Sequence, residues 1–143
     1  MEKNVLKIKN LKKTYHTKNK EILAVEDFSL NLKEGEFVSI VGPSGCGKST
    51  ILSILAELDN KSSGDIELTE KTRIGYMLQQ DALFDFRTVL DNCLLGLEIN
   101  KNLTNETKKY VLNLLKIYGL KDFINSYPAT LSGGMRQRVV CML

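Results

Sequence analysis

Residues 42 to 50 read Gly42-Pro43-Ser44-Gly45-Cys46-Gly47-Lys48-Ser49-Thr50, a complete GxxxxGK[ST] phosphate loop. Each residue type has a task in such a loop. Gly42, Gly45 and Gly47 permit backbone torsions that a side chain disfavours, so successive N–H groups can turn inward as an anion nest. The positive end of a following helix points at the same place. Lys48 can then reach the outer phosphates, and the Ser49 hydroxyl is placed to ligate Mg²⁺. A Gly/Ser-rich turn that merely carried one lysine would not explain why an apolar helix starts at once. The stretch therefore predicts a nucleoside triphosphate site, with the whole run from Gly42 to Thr50 lining it.

The loop needs a strand before it and a helix after it. Phe37-Val38-Ser39-Ile40-Val41 is apolar on nearly every residue, as expected of a buried central strand. Ile51, Ile54, Leu55 and Leu58 follow the i, i+3, i+4, i+7 spacing of a helix face. Upstream, Leu6, Ile8 and Leu11 precede a polar hairpin-like stretch from His16 to Glu21, and Phe28, Leu30 and Leu32 alternate up to a turn at Glu34-Gly35. After the break at Ser62-Ser63-Gly64, two short strands are predicted, Asp65 to Leu68 and Ile74 to Leu78. The second half reads as helical: Leu90, Cys93, Leu94 and Leu97, then Val111, Leu114, Leu115 and Tyr118. Thr104 is suited to cap the latter helix, with Glu106 in its first turn and Gly119 as its stop.

The chain of 143 residues is about one domain, large enough for a core. Hydrophobic content of 43% and charge of 26% are ordinary for a globular protein. A net charge of +3 and dispersed lysines give no basis for a nucleic-acid partner. No apolar run approaches the roughly 18 residues that span a bilayer. Met1-Glu2-Lys3-Asn4 lacks the apolar core of a leader, so a cytoplasmic location is expected. Cys46, Cys93 and Cys141 are scattered without a CxxC pattern, which points to reduced thiols. Cys46 reads as small filler in the loop. His16 is the only histidine, which excludes a multi-histidine metal site.

Phosphate loops serve many enzymes, and residues 131 to 138 narrow the choice: Leu131-Ser132-Gly133-Gly134-Met135-Arg136-Gln137-Arg138. Ser132 and the amides of Gly133 and Gly134 open a helix N-terminus and form a second anion cradle. This run resembles the LSGGQ signature of ATP-binding cassette (ABC) ATPases, with Met135 in place of the usual Gln. The resemblance extends over the whole chain. Tyr15 stands where the family places an aromatic that stacks on adenine. Gln79, in Gly75-Tyr76-Met77-Leu78-Gln79, matches the Q-loop glutamine that touches Mg²⁺ and the attacking water, with Gln80 adjacent as the alternative. Arg87-Thr88-Val89-Leu90-Asp91-Asn92 resembles importers of the nitrate, sulfonate and taurine type.

The resemblance implies an α/β fold of the P-loop NTPase, ABC-type class over residues 1–143. An N-terminal antiparallel β subdomain would be followed by a helical subdomain that carries the signature. It implies MgATP as cofactor and a head-to-tail homodimer, each ATP lying between the phosphate loop of one copy and Ser132-Gly133-Gly134 of the other. It also implies transmembrane permease subunits and an extracytoplasmic solute-binding protein as partners, with the chain on the inner face of the cell membrane. Hydrolysis would then rest on electrostatic positioning of phosphate and water.

The sequence departs from the family in places. The family's Asp-Glu strand and later histidine have no match, because Asp122 is the last acidic residue and residues 139–143 read Val-Val-Cys-Met-Leu. On this reading the cassette is truncated before the Walker B strand, and Phe37 to Val41 would lose a strand neighbour. A non-catalytic nucleotide-binding module, or the remnant of a disrupted gene, is the alternative to an ATPase. Smaller departures are Glu57, where the family usually has glycine, and Asp85-Phe86, where it often has Pro-Trp.

Overall fold

Alternating apolar and polar residues in the first third give two long strands, β1 (Asn4–His16) and β2 (Glu21–Lys33). They pair antiparallel through the turn at 17–20, with Ile8 opposite Leu30 and Tyr15 opposite Ile22. The structure is a computed structural model that describes residues 4–70, 72–80 and 82–142. The N-terminal stretch read above against a leader falls mostly outside them, at Met1 to Lys3, as does Leu143. The chain forms two units, Met1–Tyr76 and Met77–Leu143.

In the first unit, helix α1 (Lys48–Leu55) follows the phosphate loop, and strand β3 (Ser63–Leu68) completes a three-stranded antiparallel sheet in the order β2-β1-β3. Leu6, Ile8, Leu11 and Val25 from the sheet pack with Ile51 and Ile54 from α1, and all but Val25 are residues whose periodicity marked those faces. The sheet carries several register shifts, one of them with a left-handed residue. Asn10 takes a left-handed φ of 48° where the β1–β3 register shifts between Lys9 and Lys12. A Cβ on the facing Gly64 would overlap the Asn10 carbonyl, so glycine is required there.

Two predicted strands do not form. Residues 37–41 and 74–78 carry no strand pairing, and Phe37 is 92% exposed, Val41 84%. Apolar content alone does not make a strand, because the backbone needs a ladder partner. The β2-β1-β3 sheet offers none to either segment among the described residues. Ile40 alone of the 37–41 run packs against the core.

Helix α1 also ends earlier than its apolar spacing suggests, which leaves Leu58 exposed. The Leu58 amide donates to the Ser53 carbonyl at 2.9 Å and the Glu57 amide to Ile54 at 3.1 Å, the two bonds of a Schellman motif. Glu57 occupies its left-handed position at φ 58°. This accounts for the glycine that the resembled family prefers there: glycine takes that torsion without a Cβ penalty.

The second unit is helical: α2 (Val89–Ile99), α3 (Asn105–Ile117) and α4 (Gly133–Val140), with 3₁₀ turns at Lys121–Phe123 and Pro128–Thr130. Val89, Cys93, Leu94, Val111, Leu115, Leu120, Leu131 and Val139 form its core. Thr104 caps α3 as expected. Its Oγ1 accepts from the Thr107 amide at 3.2 Å and the Thr107 Oγ1 accepts from the Thr104 amide at 2.8 Å, a reciprocal box. Gly119, at φ 70°, ends the helix, and the Leu120 amide reaches back to the Leu115 carbonyl at 2.7 Å. That turn buries Leu120 and leaves Tyr118 exposed, the reverse of the simple helical spacing.

Asn92 is the buried polar member of this unit. Its Oδ1 accepts from the Phe84 amide at 2.8 Å. Its Nδ2 donates to the carbonyls of Phe84, Arg87 and Thr88 at 3.1, 3.1 and 2.9 Å. One side chain thus fastens the 84–88 segment onto α2. Burial pushes the neighbouring Cys93 thiol up to about 11.

Candidate nucleotide-binding elements

The phosphate loop closes on α1 through Gly47, which caps the helix at φ 89°. A Cβ there would overlap the Ala24 carbonyl of β2, so this glycine sets the seam between loop and sheet. Gly45, at φ 81°, has open space around it and needs glycine only for its torsion. A Cβ on Gly42 would lie 2.7 Å from the sulfur of Cys46, which is exposed. Lys48 folds back over the loop. Its Nζ donates to the carbonyls of Gly42 and Pro43 at 2.8 and 2.6 Å, with the Cys46 Sγ at 3.5 Å. The ammonium is therefore poised at the loop mouth. Ser49 is exposed on the first turn of α1, with Thr50 half-buried beside it and Ser44 and Pro43 exposed on the loop.

Tyr15 lies near the end of β1, 37% exposed. Its strand partner Ile22 is two residues from Ala24, the residue against Gly47, a span of about 7 Å along a strand. The Tyr15 hydroxyl donates to Asp59 Oδ2 at 2.6 Å, and the Lys13 ammonium stands 4.6 Å from the ring centroid. Lys13 donates to Asp59 Oδ1 and to the Asn60 carbonyl, both at 2.6 Å. The Lys13 hydrogen bond, then that of Tyr15, holds the Asp59 carboxyl below its ordinary range. Sequence reading missed Lys13 and Asp59, since nothing in their spacing (46 residues apart) marks them as a pair.

In the second unit, Ser132 caps α4, its Oγ accepting from the Met135 amide at 3.4 Å. Gly133 and Gly134 begin the helix with open space where a Cβ would be. They line an open cavity of about 470 Å³ with Gln79, Gln80 and Gln137. The structure thus brings both glutamines beside the signature glycines. Met135 is half-buried against the helical core, which gives the replacement of the family's glutamine a packing role. Arg138 fastens the helix from its other side, donating to the Gly134 carbonyl at 3.3 Å and to Tyr118 at 2.8 Å.

His16 pairs with Glu21 at 2.9 Å on the exposed hairpin end, away from any cluster of ligands. Among the described residues no group of three or more His, Cys, Asp or Glu could hold a metal ion, and no helix is long and apolar enough to cross a membrane.

Comparison with known proteins agrees with this geometry. The family profile described as ABC transporter matches residues 25–142. An ABC transporter ATP-binding protein of Bacillus subtilis, YtlC, is 43% identical over 139 residues, covering 93% of this chain and 54% of its own length. The methionine import ATP-binding protein MetN 2 of Bacillus cereus is 38% identical, covering 94% of this chain and 44% of its own. A dimeric post-hydrolysis structure of the ATP-binding cassette MJ0796 with ADP and Pi superposes with a TM-score of 0.80 at 36% identity. It covers 96% of this chain and 67% of that one. The chain spans about half the length of the curated relatives it matches.

Proposed function

This chain belongs to the ABC transporter family, and we propose that it is the ATP-binding part of a transport system, binding MgATP through residues 42–50. The observation that carries the reading is the Lys48 ammonium, held by two main-chain carbonyls across a glycine loop that opens a helix. Carbonyl hydrogen bonds on a half-buried lysine can be exchanged for stronger ones to phosphate. Such an exchange would leave the loop amides and the N-terminus of α1 facing the same anion.

The donors available suit Mg²⁺, which prefers oxygen and takes one or two protein ligands along with phosphates rather than an all-protein cage. Ser49 supplies such an oxygen from the first turn of α1, and the family resemblance adds the amide oxygen of Gln79. A bound Mg²⁺ supplies charge neutralisation on the phosphates. The chain's own contribution is to orient them, with Tyr15 stacking on the base. Ser132, Gly133 and Gly134 would meet the nucleotide of a second copy, and the MJ0796 cassette, dimeric and bound to ADP and Pi, supports a nucleotide-binding dimer. The open space over both glycines leaves room for that approach.

The relative named for methionine import favours import, as does the resemblance at residues 87–92. Transmembrane permease subunits, a solute-binding protein and a site on the inner membrane face follow from that reading. A second reading is nucleotide binding without turnover by residues 1–143 taken alone, in which Asp122 is the last acidic side chain.

Titration calorimetry with MgATP, alongside phosphate release, tests both. The parent chain should bind, and Lys48→Ala should weaken binding by more than about tenfold, the loss of at least one charged phosphate contact. Absence of binding by the parent would refute the nucleotide reading. Phosphate release that Lys48→Ala abolishes would refute the non-catalytic one.

A further inference from the structure

Tyr15 is held by its hydroxyl as well as by its place in the strand. Asp59 lies four residues past the end of α1, just beyond the Schellman turn. Its Oδ2 accepts from the Tyr15 hydroxyl while its Oδ1 accepts from Lys13 Nζ and, at 2.7 Å, from the Asn60 amide. Lys13 is only 8% exposed, so its ammonium must be paired, and the carboxylate it needs is the one that anchors the phenol. The same turn is sewn to β1 on its other side. The Thr14 amide donates to Ser62 Oγ and the Ser62 amide to the Lys12 carbonyl, each at 2.9 Å. The phosphate-loop helix and the tyrosine ring are thereby joined by one short, doubly anchored connection.

We propose that Asp59, itself fixed by Lys13, is a positioning residue that presets the Tyr15 ring for a nucleotide base. The inference rests on the nucleotide reading and adds to it a residue that would never touch the ligand. With the hydroxyl committed to Asp59 and Lys13 beside the ring, Tyr15 offers the base a fixed aromatic face rather than a hydrogen bond. Presetting the ring removes a rotamer cost that would otherwise fall on binding. The phosphates are held by a different segment, so the effect should be confined to the base-dependent part of the affinity.

The test measures binding of ATP and of inorganic tripolyphosphate to the full chain, to Tyr15→Phe, to Asp59→Ala and to the double variant. Tyr15→Phe keeps the ring and the Lys13–Asp59 pair, so it remains informative even where Asp59→Ala fails to fold. Either single change should raise the ATP dissociation constant about three- to tenfold, the scale of one hydrogen bond. Tripolyphosphate binding should hold within about twofold, and the double variant should be no worse than Asp59→Ala. Tyr15→Phe binding ATP as tightly as the parent would overturn the positioning role and leave the nucleotide reading intact. A parent chain that binds neither probe would overturn both.

Discussion

The two units share one chain and differ in how far their apolar residues find partners. In the helical unit, most of the residues spaced for burial meet in a closed core, with Tyr118 the exception, and its polar member Asn92 has its bonds filled. In the sheet unit, β1, β2, β3 and α1 close a small core, while Phe37, Val41, Leu58 and Ile74 stand exposed. Composition does not separate the two, since both are rich in apolar residues. Partner supply does. A helix satisfies its own backbone and needs only one apolar face covered, whereas a strand stays unformed until another strand lends it hydrogen bonds.

The sharpest way to break this contrast is a pair of truncations followed by urea denaturation. Leu115→Ala, at a fully buried site in the helical core, should cost about 3 kcal/mol. Phe37→Ala, at an exposed site, should change stability by less than about 0.5 kcal/mol and improve solubility. Equal losses would mean that the exposed run is packed in solution after all. Next in size, Asn92→Ala should destabilise the helical unit by about 2 kcal/mol by orphaning the Phe84 amide. The 84–88 amides should then exchange with deuterium sooner than α2 itself.

A smaller effect separates the helix ends. Glu57 and Gly119 occupy the same left-handed position after α1 and α3, one with a Cβ and one without. Glu57→Gly should raise the stability of the sheet unit by about 1 kcal/mol, and Gly119→Ala should lower that of the helical unit by a similar amount. A loss from Glu57→Gly would show that the carboxylate does something the torsion does not explain. The smallest difference lies in acid. Asp59 titrates lower folded than unfolded, so the stability it adds is present above its unfolded value near pH 4. That stability is lost as pH falls through the lower folded value. Replacing Asp59 with Asn should flatten this part of the stability–pH profile. An unchanged profile would mean that the carboxylate is not paired in solution.

Much of the candidate site was legible because its chemistry is contiguous. The phosphate loop and the signature run each pack glycines, a hydroxyl and a helix start into a few residues, and local geometry follows from local sequence. The Thr104 cap and the Gly119 stop were readable for the same reason. The strands at 37–41 and 74–78 were not, because period and composition report a preference for burial and say nothing about whether a neighbour arrives. The end of α1 was misjudged at Leu58 because a left-handed glutamate breaks the periodicity without the glycine that would have announced it.

By itself, the sequence determined the nine-residue glycine loop proposed to hold phosphate, the signature helix start, and the alternation that draws β1 and β2 together. Those depend on torsions and spacings that a residue shares only with near neighbours. The tertiary structure decided that Asp59 reaches back 44 residues to Tyr15. It also decided that Gln79 and Gln80 share a cavity with Gly133 and Gly134, and that Leu120 rather than Tyr118 enters the helical core. Contacts of that kind are set by how elements pack, and one charge or one turn of a chain looks the same in sequence whichever partner it finds.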